Sequence, residues 1–133
     1  MELKSFDVLE KTISNLLELK RLTEKNAKGI AHANKLIASG DVIRPESWKR
    51  PTAEMENAYL EENGYDKYCL WFLGVDPELG EDTKGHYGYI YTSDFKNVDR
   101  RGLSAIRQYA AQNNMNSIYA AAGKMIEAID GKE

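Results

Sequence analysis

The chain has 133 residues, of which 42% are hydrophobic and 29% are charged, and its formal net charge is -3. This length suits one domain with a sizeable core, and the composition excludes a globally disordered chain. Neither an apolar run of about 20 residues nor a basic segment followed by an apolar one is present, so the sequence predicts no membrane span and no signal peptide. We therefore expect a cytoplasmic protein.

Charge is distributed unevenly along the chain. Residues 1–50 carry 10 Lys/Arg and 7 Asp/Glu (+3), residues 51–95 carry 2 and 10 (-8), and residues 96–133 carry 6 and 4 (+2). A nucleic-acid-binding domain needs basic side chains gathered on one face, so this pattern argues against direct DNA or RNA binding. The acidic centre favours self-association or docking on a basic partner, with Glu78, Glu81 and Asp82 on the partner-binding surface.

The N-terminal segment predicts one long helix. Residues 5–39 contain no proline, and seven of ten heptad a and d positions are apolar. We expect this helix to bind a partner protein or a second copy of the chain. The predicted contact residues are Phe6, Leu9, Ile13, Leu16, Ile30 and Ile37. Two alternatives stay open. The segment could form two helices with a break near residues 26–29, or the C-terminal helices of the same chain could cover its apolar face.

Residues 41–51 contain two prolines, Pro45 and Pro51, and this indicates a connector. It would separate an N-terminal helical extension, residues 1–40, from a small helical domain, residues 52–133. Thr52 has the chemistry of an N-cap for the next short helix.

The most apolar run of the chain, residues 65–75, predicts a short core helix that ends at Gly74 and buries Trp71 and Phe72. Its length also fits a buried strand, and periodicity does not decide between the two. Cys69 lies in this run as the single cysteine, so a buried thiol is expected.

An acidic segment, residues 76–82, is expected to form a loop. After it, Tyr87, Tyr89 and Tyr91 alternate with other residues, which predicts one short extended or β segment near 87–92 with the tyrosines on one side. Ser93 or Asp94 is then the predicted N-cap of a helix that starts near residue 95.

The helical spacing of apolar residues is interrupted at residues 113–114 and then resumes, which predicts a second helix after the break. The two helices are expected to form an antiparallel hairpin. The fold class predicted from the whole sequence is therefore mainly α, with a long N-terminal helix and a compact helical domain that contains one short extended segment.

No residue set forms a catalytic or cofactor signature, and two histidines with one cysteine do not predict a metal site. A small ligand-binding or enzymatic domain is one alternative, with its site between the tyrosine segment and the hairpin. Its acid-base and anion-binding candidates are His86, Tyr89, Tyr91, Asp94 and Arg100, where Asp94 or His86 would act as general base and Arg100 would bind an anion.

One sequence pattern resembles a known group. It runs from Trp48 and Pro51 through Trp71-Phe-Leu-Gly74, Asp82-Thr-Lys84, Tyr87, Tyr91, Asp94-Phe95, Val98, Arg100 and Gly102 to Ala110, Gln112 and Ala120-Ala-Ala122. The pattern resembles a family of small uncharacterised bacterial and phage-encoded helical proteins, some associated with phage head genes. The resemblance implies a bacterial or phage-infected host cell and no catalytic role.

The first functional hypothesis is therefore a non-enzymatic helical interaction or assembly protein without a cofactor, and the resemblance is compatible with a phage-derived origin. It would bind a protein partner or itself through the N-terminal helix. An alternative in the same class is an acidic inhibitor that occupies the basic groove of a nucleic-acid-handling enzyme, because residues 51–95 carry the net charge of -8.

Overall fold

The computed structural model describes residues 24–131. Along this part of the chain the elements are β1 (Glu24–Lys25), α1 (Ala27–Ala38), β2 (Val42–Ile43), α2 (Ala53–Asn63), α3 (Tyr65–Tyr68), β3 (Phe72–Val75), β4 (Tyr87–Ile90), β5 (Val98–Asp99), α4 (Arg100–Gln112) and α5 (Asn116–Asp130). Single 3₁₀ turns, Cys69–Trp71 and Lys84–His86, lead into β3 and β4.

The strands form two small sheets. β3 is the central strand of an antiparallel sheet with the order β1-β3-β4, and β2 pairs with β5 in parallel. The predicted fold class, mainly α with one short extended segment, is therefore wrong. The missed strands have two to four residues each, too few for an alternating pattern to be visible.

The predicted long N-terminal helix is also wrong within the described residues, because the backbone is extended from Glu24 to Asn26 and α1 begins only at Ala27. Tertiary hydrogen bonds fix this break. The Asn26 backbone N–H donates to the Leu73 carbonyl (2.9 Å), and its side-chain amide donates to the Cys69 and Phe72 carbonyls (2.7 and 2.9 Å). The alternative of two helices with a break near residues 26–29 stays a prediction, because residues 27–29 are helical and a first helix would lie outside the described residues.

Gly29 lets α1 approach the sheet. A Cβ at this position would lie 1.8 Å from the Phe72 carbonyl oxygen, so only glycine fits. At the other end of α1, which ends at Ala38, Gly40 has φ +82°, the left-handed conformation that glycine adopts without steric cost after a helix.

The apolar run at residues 65–75 changes structure along its length. α3 ends at Tyr68, and after the 3₁₀ turn the chain continues as β3, so the prediction of a helix to Gly74 is wrong. The physical reason is backbone pairing, since β3 is bonded on one edge to β1 and on the other to β4. Trp71 and Phe72 are buried in the core as predicted.

The tyrosine segment is a strand, as predicted, but its tyrosines do not share one environment. Tyr91 is fully buried and Tyr87 and Tyr89 are half-buried. Tyr89 has φ +64°, which is unusual for a bulky residue and interrupts the regular alternation of the strand.

The predicted helix start after Ser93 or Asp94 is wrong. The Asp94 carboxylate accepts from the backbone N–H groups of Lys96 and Asn97 (2.9 Å each), as an N-cap does. The chain then forms a turn, because Phe95 has φ +54° and Val98 pairs with β2. The helix α4 begins at Arg100.

The C-terminal hairpin is confirmed. α4 and α5 pack through the buried residues Leu103, Ile106, Ala110, Ile118, Ala122, Met125 and Ile129. Ala33 and Ile37 of α1 belong to the same core, while the proposed boundaries at residues 40 and 52 stay a prediction. No helix between residues 24 and 131 is long and apolar enough to cross a membrane.

Candidate functional site

A cleft of about 280 Å³ opens beside the N-terminus of α1, between α3 and the loop that joins β3 to β4. We call it the α1 cleft. Its lining consists of Lys25, Asn26, Ala27, Lys28, Tyr65, Asp66, Cys69, Val75, Glu81, Asp82, His86 and Tyr87.

The first turn of α1 forms the basic side of the cleft. Asn26 is the N-cap residue, but its side chain does not cap the helix because its amide is engaged with the Cys69 and Phe72 carbonyls. The first turn also contains no acidic residue. Its N–H groups and the positive end of the helix dipole therefore remain available beside Lys25 and Lys28, an arrangement that favours an anion.

The opposite side of the cleft is acidic. Asp66, Glu81 and Asp82 are exposed on it. Among the described residues, no ion pair joins these carboxylates to Lys25 or Lys28. The cleft therefore presents charges of both signs that do not neutralise each other by direct contact.

Hydrogen bonds hold the acidic loop in place. The Asp76 carboxylate accepts from the Glu78 backbone N–H (3.0 Å), and the Asp76 backbone N–H donates to the His86 carbonyl (2.7 Å). The Tyr87 hydroxyl donates to the Glu81 carbonyl (2.7 Å). The backbone that carries Glu81 and Asp82 is thus tied to the start of β4.

His86 lies in the wall of the cleft and is 8% exposed. Its Nδ1 is 2.7 Å from the Leu79 carbonyl oxygen. A carbonyl only accepts, so we assign the proton to Nδ1, which leaves Nε2 as an acceptor in the neutral ring. Nε2 forms no hydrogen bond with any residue from 24 to 131.

Cys69 is buried, as predicted from the sequence. Its thiol donates to the Asp66 carbonyl (3.2 Å), and burial raises the pKa of the thiol above its ordinary value, while Lys28 opposes that rise. A protonated, hydrogen-bonded thiol is a poor nucleophile. The chemistry of the cleft therefore favours binding over thiol catalysis.

Two aromatic rings provide apolar surface between the charged sides. The Tyr65 and Tyr87 rings are stacked with their centroids 6.2 Å apart. Burial, together with the nearby Cys69, raises the pKa of Tyr87 to about 12, so its hydroxyl is neutral at physiological pH.

The structure does not bring the five predicted ligand-binding residues together. His86 lines the α1 cleft, whereas the Tyr91 hydroxyl donates to the Leu70 carbonyl (2.6 Å) inside the core. The Tyr89 hydroxyl contacts the Met115 sulfur, and Asp94 forms the turn before β5. Arg100 makes two hydrogen bonds to Asp130 on the hairpin (2.8 and 2.9 Å).

The predicted partner-binding residues have different positions. Ile37 is buried in the core and Ile30 packs against it, so the chain itself covers both side chains. Glu78 is exposed. Phe6, Leu9, Ile13 and Leu16 lie outside the described residues.

Lys25, Lys28 and Tyr65 line the cleft and were not predicted as site residues. Two lysines three positions apart around a helix start are a visible signal for an anion site. The sequence reasoning placed both lysines in the middle of one continuous helix, where that signal has no meaning.

Metal ligands are not assembled at this cleft or elsewhere between residues 24 and 131, where no three His, Cys, Asp or Glu side chains are grouped to hold an ion. No family model matches the chain, and no curated protein or solved structure is significantly similar to it.

Proposed function

We propose that the protein binds a small zwitterionic molecule in the α1 cleft. The observation that supports this most directly is that charges of both signs and a helix N-terminus without a side-chain cap line one cleft. The ligand class is an amino acid with a basic side chain, or a peptide that ends in one.

The proposed ligand matches both sides of the cleft. Its carboxylate accepts hydrogen bonds from the first-turn N–H groups of α1 and from Lys25 and Lys28, and charge-assisted bonds of this kind are the stronger ones. Its cationic side chain faces Asp66, Glu81 and Asp82. The aliphatic part between them packs on the Tyr65 and Tyr87 rings.

Calorimetric titration with L-arginine and with agmatine, which carries the same guanidinium and no carboxylate, tests the proposal. We expect agmatine to bind at least about tenfold more weakly, because a charged contact is worth about 1.4 kcal/mol or more. Equal affinity of the two compounds, or no binding of L-arginine, would contradict it.

A matched pair of variants locates the site. Lys28→Met removes a charge beside the helix start, and we expect it to weaken L-arginine binding about tenfold. Lys35→Met changes an exposed lysine in the last turn of the same helix, outside the cleft, and should leave binding unchanged. The same loss of affinity in both variants would show a general charge effect instead.

A second candidate function is protein interaction, as an assembly protein in the cytoplasm of a bacterium or a phage-infected host. Its specific support is that seven of the ten carboxylates of residues 51–95 are exposed. They are Glu54, Glu61, Glu62, Asp66, Glu78, Glu81 and Asp82. An acidic face of this kind suits a basic protein partner, and the apolar seam of residues 6–16 would add self-association.

Sedimentation of the full chain tests the self-association. We expect Leu9→Asp combined with Leu16→Asp to convert an oligomer to a monomer, because both positions lie in the seam. Lys11→Asp, outside the seam, is the control. A full chain that is already monomeric would remove self-association from this candidate.

A further inference from the structure

A second cleft, of about 680 Å³, lies between the connector and the N-terminus of α4. We call it the connector cleft. Its polar lining consists of Glu46, Ser47, Lys49, Arg50, Thr52, Ser93 and Asp99. It shares no lining residue with the α1 cleft.

Asp99 joins β5 to α4 and is fully buried. Its Oδ1 caps the helix by accepting from the backbone N–H groups of Arg101 (2.8 Å) and Gly102 (3.1 Å). Its Oδ2 is buried and has no hydrogen-bond partner within residues 24–131. Buried polar atoms in proteins are almost always hydrogen-bonded, so this oxygen needs an explanation.

The carboxylate is held in its present orientation. The Asp99 backbone N–H donates to the Tyr91 carbonyl (2.9 Å), and rotation of the side chain to satisfy Oδ2 would break the two bonds that cap α4. Oδ2 is therefore a fixed acceptor in a residue that lines the cleft, and a donor must come to it.

The charges around the cleft restrict which donor fits. Lys49, Arg50 and one carboxylate, Glu46, are exposed at its edge, and the positive end of the α4 dipole lies at Asp99. Arg50 also lies 3.9 Å from the Glu56 carboxylate. The two cationic side chains and the dipole outnumber Glu46 at this edge and favour an anionic group there over a cationic one. A neutral hydroxyl group can donate to Oδ2, and an anionic group on the same molecule can accept from Lys49 and Arg50.

The connector also provides a hydroxyl group, Ser47, and is hydrogen-bonded directly to α4. A second hydroxyl group on the cleft lining, Ser93, comes from the segment between β4 and β5. The Arg101 Nε donates to the Pro45 carbonyl (3.1 Å), and the Trp48 ring packs against Gly102, where a Cβ would lie 2.6 Å from it. The basic edge and the buried acceptor are thus parts of one wall.

We propose that the connector cleft binds a small hydroxylated phosphate, such as a polyol or sugar phosphate. A hydroxyl of the ligand donates to Asp99 Oδ2, and its phosphate accepts hydrogen bonds from Lys49 and Arg50. This site is independent of the zwitterion site in the α1 cleft.

Titrations followed by amide NMR shifts compare three probes, namely glycerol 3-phosphate, inorganic phosphate and glycerol. We expect glycerol 3-phosphate to bind at least about tenfold more tightly than phosphate, because it alone can use both the acceptor and the basic edge. The amides of Ser93, Arg101 and Gly102 should shift. Equal affinity for phosphate and glycerol 3-phosphate, or shifts confined to other amides, would overturn the proposal.

Variants separate the two halves of the site. Lys49→Met should weaken both phosphate and glycerol 3-phosphate, while Lys124→Met, an exposed lysine on α5, should affect neither. Asp99→Asn keeps an oxygen for the helix cap, and it should reduce glycerol 3-phosphate affinity to that of phosphate without changing phosphate binding. If Asp99→Asn does not fold, the probe comparison on the wild-type and Lys49→Met proteins still decides the outcome.

Discussion

The region around the three-stranded sheet and the C-terminal hairpin build their cores from different side chains. Around the sheet, Tyr68, Trp71 and Phe72 contact one another or Phe95 through their rings, and buried polar groups are satisfied by partners far along the chain. In the hairpin, aliphatic side chains and alanines fill the space between two regular helices. The sheet region thus depends on particular backbone positions, and the hairpin depends on periodic spacing.

The largest expected effect separates two glycines. Gly29→Ala places a methyl group 1.8 Å from the Phe72 carbonyl oxygen, so α1 must move away from β3. We expect the free energy of unfolding to fall by about 3 kcal/mol or more, the upper end of overpacking effects. Chemical denaturation monitored by circular dichroism measures it.

Gly123→Ala is the matched control in the hairpin. Its added methyl group meets only the Arg107 guanidinium, at 3.7 Å, which is ordinary contact. Because alanine favours the helix, we expect a stabilisation of about 0.5–1 kcal/mol. Similar effects of the two substitutions would remove the distinction between the two regions.

A smaller effect is expected at the buried tyrosine of α3. The Tyr68 hydroxyl donates to Glu56 Oε1 (2.7 Å), and both residues are buried. Tyr68→Phe leaves the carboxylate without this donor, so we expect a loss of about 1–3 kcal/mol. Tyr109→Phe in the hairpin, at a residue that is 61% exposed, should change stability by less than about 0.5 kcal/mol. Thermal unfolding of both variants provides the comparison, and equal melting temperatures would contradict it.

The turn before β5 should show an acid-dependent contribution. Burial acts to raise the pKa of Asp94, but hydrogen bonds from Asn97, Lys96 and Thr92 outweigh it and hold the pKa below its ordinary value of 3.8. A lowered folded-state pKa stabilises the protein above the ordinary value, and this stabilisation is lost as the pH falls through the folded-state value.

Asp94→Asn removes this contribution. We expect the variant to be less stable than the wild type by about 1 kcal/mol at neutral pH, with the difference shrinking below about pH 4. Urea denaturation across this pH range measures it. Glu127→Gln, at an exposed position in the hairpin, is the control. A difference that does not change with pH would assign the effect to packing.

The smallest expected effect is at the turn of the hairpin. Asn114 has φ +58°, a conformation that glycine adopts without steric cost. We expect Asn114→Gly to stabilise the protein by about 0.5 kcal/mol, and Asn116→Gly, within the first turn of α5, to destabilise it by a similar amount. Precise thermal denaturation compares the two, and a destabilising Asn114→Gly would contradict the turn geometry.

The hairpin was predictable because the residues that determine it lie close together in the sequence. Apolar side chains at helical spacing and the Asn113–Asn114 break are both visible in the sequence, and both are present in the structure. Around the sheet, the contacts that fix the start of α1 join residues more than 40 positions apart, such as Asn26 and Cys69. Ser93 or Asp94 is the cap predicted from the sequence, whereas the pairing of Val98 with Val42 delays the helix start and makes Asp99 the cap.

The same limit applies to the site. Glu81, Asp82 and His86 were identified as candidate residues, since acidic side chains and histidines are conspicuous in any sequence. Lys25 and Lys28 join them only because the extended segment at Glu24–Lys25 pairs with β3, which places the start of α1 at the cleft. No local pattern contains that pairing.

The order of the elements has a consequence for synthesis on the ribosome. α1 packs against the turn before β3 and against α5, and β2 pairs with β5. A nascent chain that has been made only through α2 therefore carries the apolar face of α1, with Ala33 and Ile37, before any of these partners exists. The apolar face of α1 can be buried against these partners only after the C-terminal half has been synthesised. We therefore expect chains that stop before Asn116 to be bound by chaperones or degraded by proteases, and not to accumulate as folded fragments.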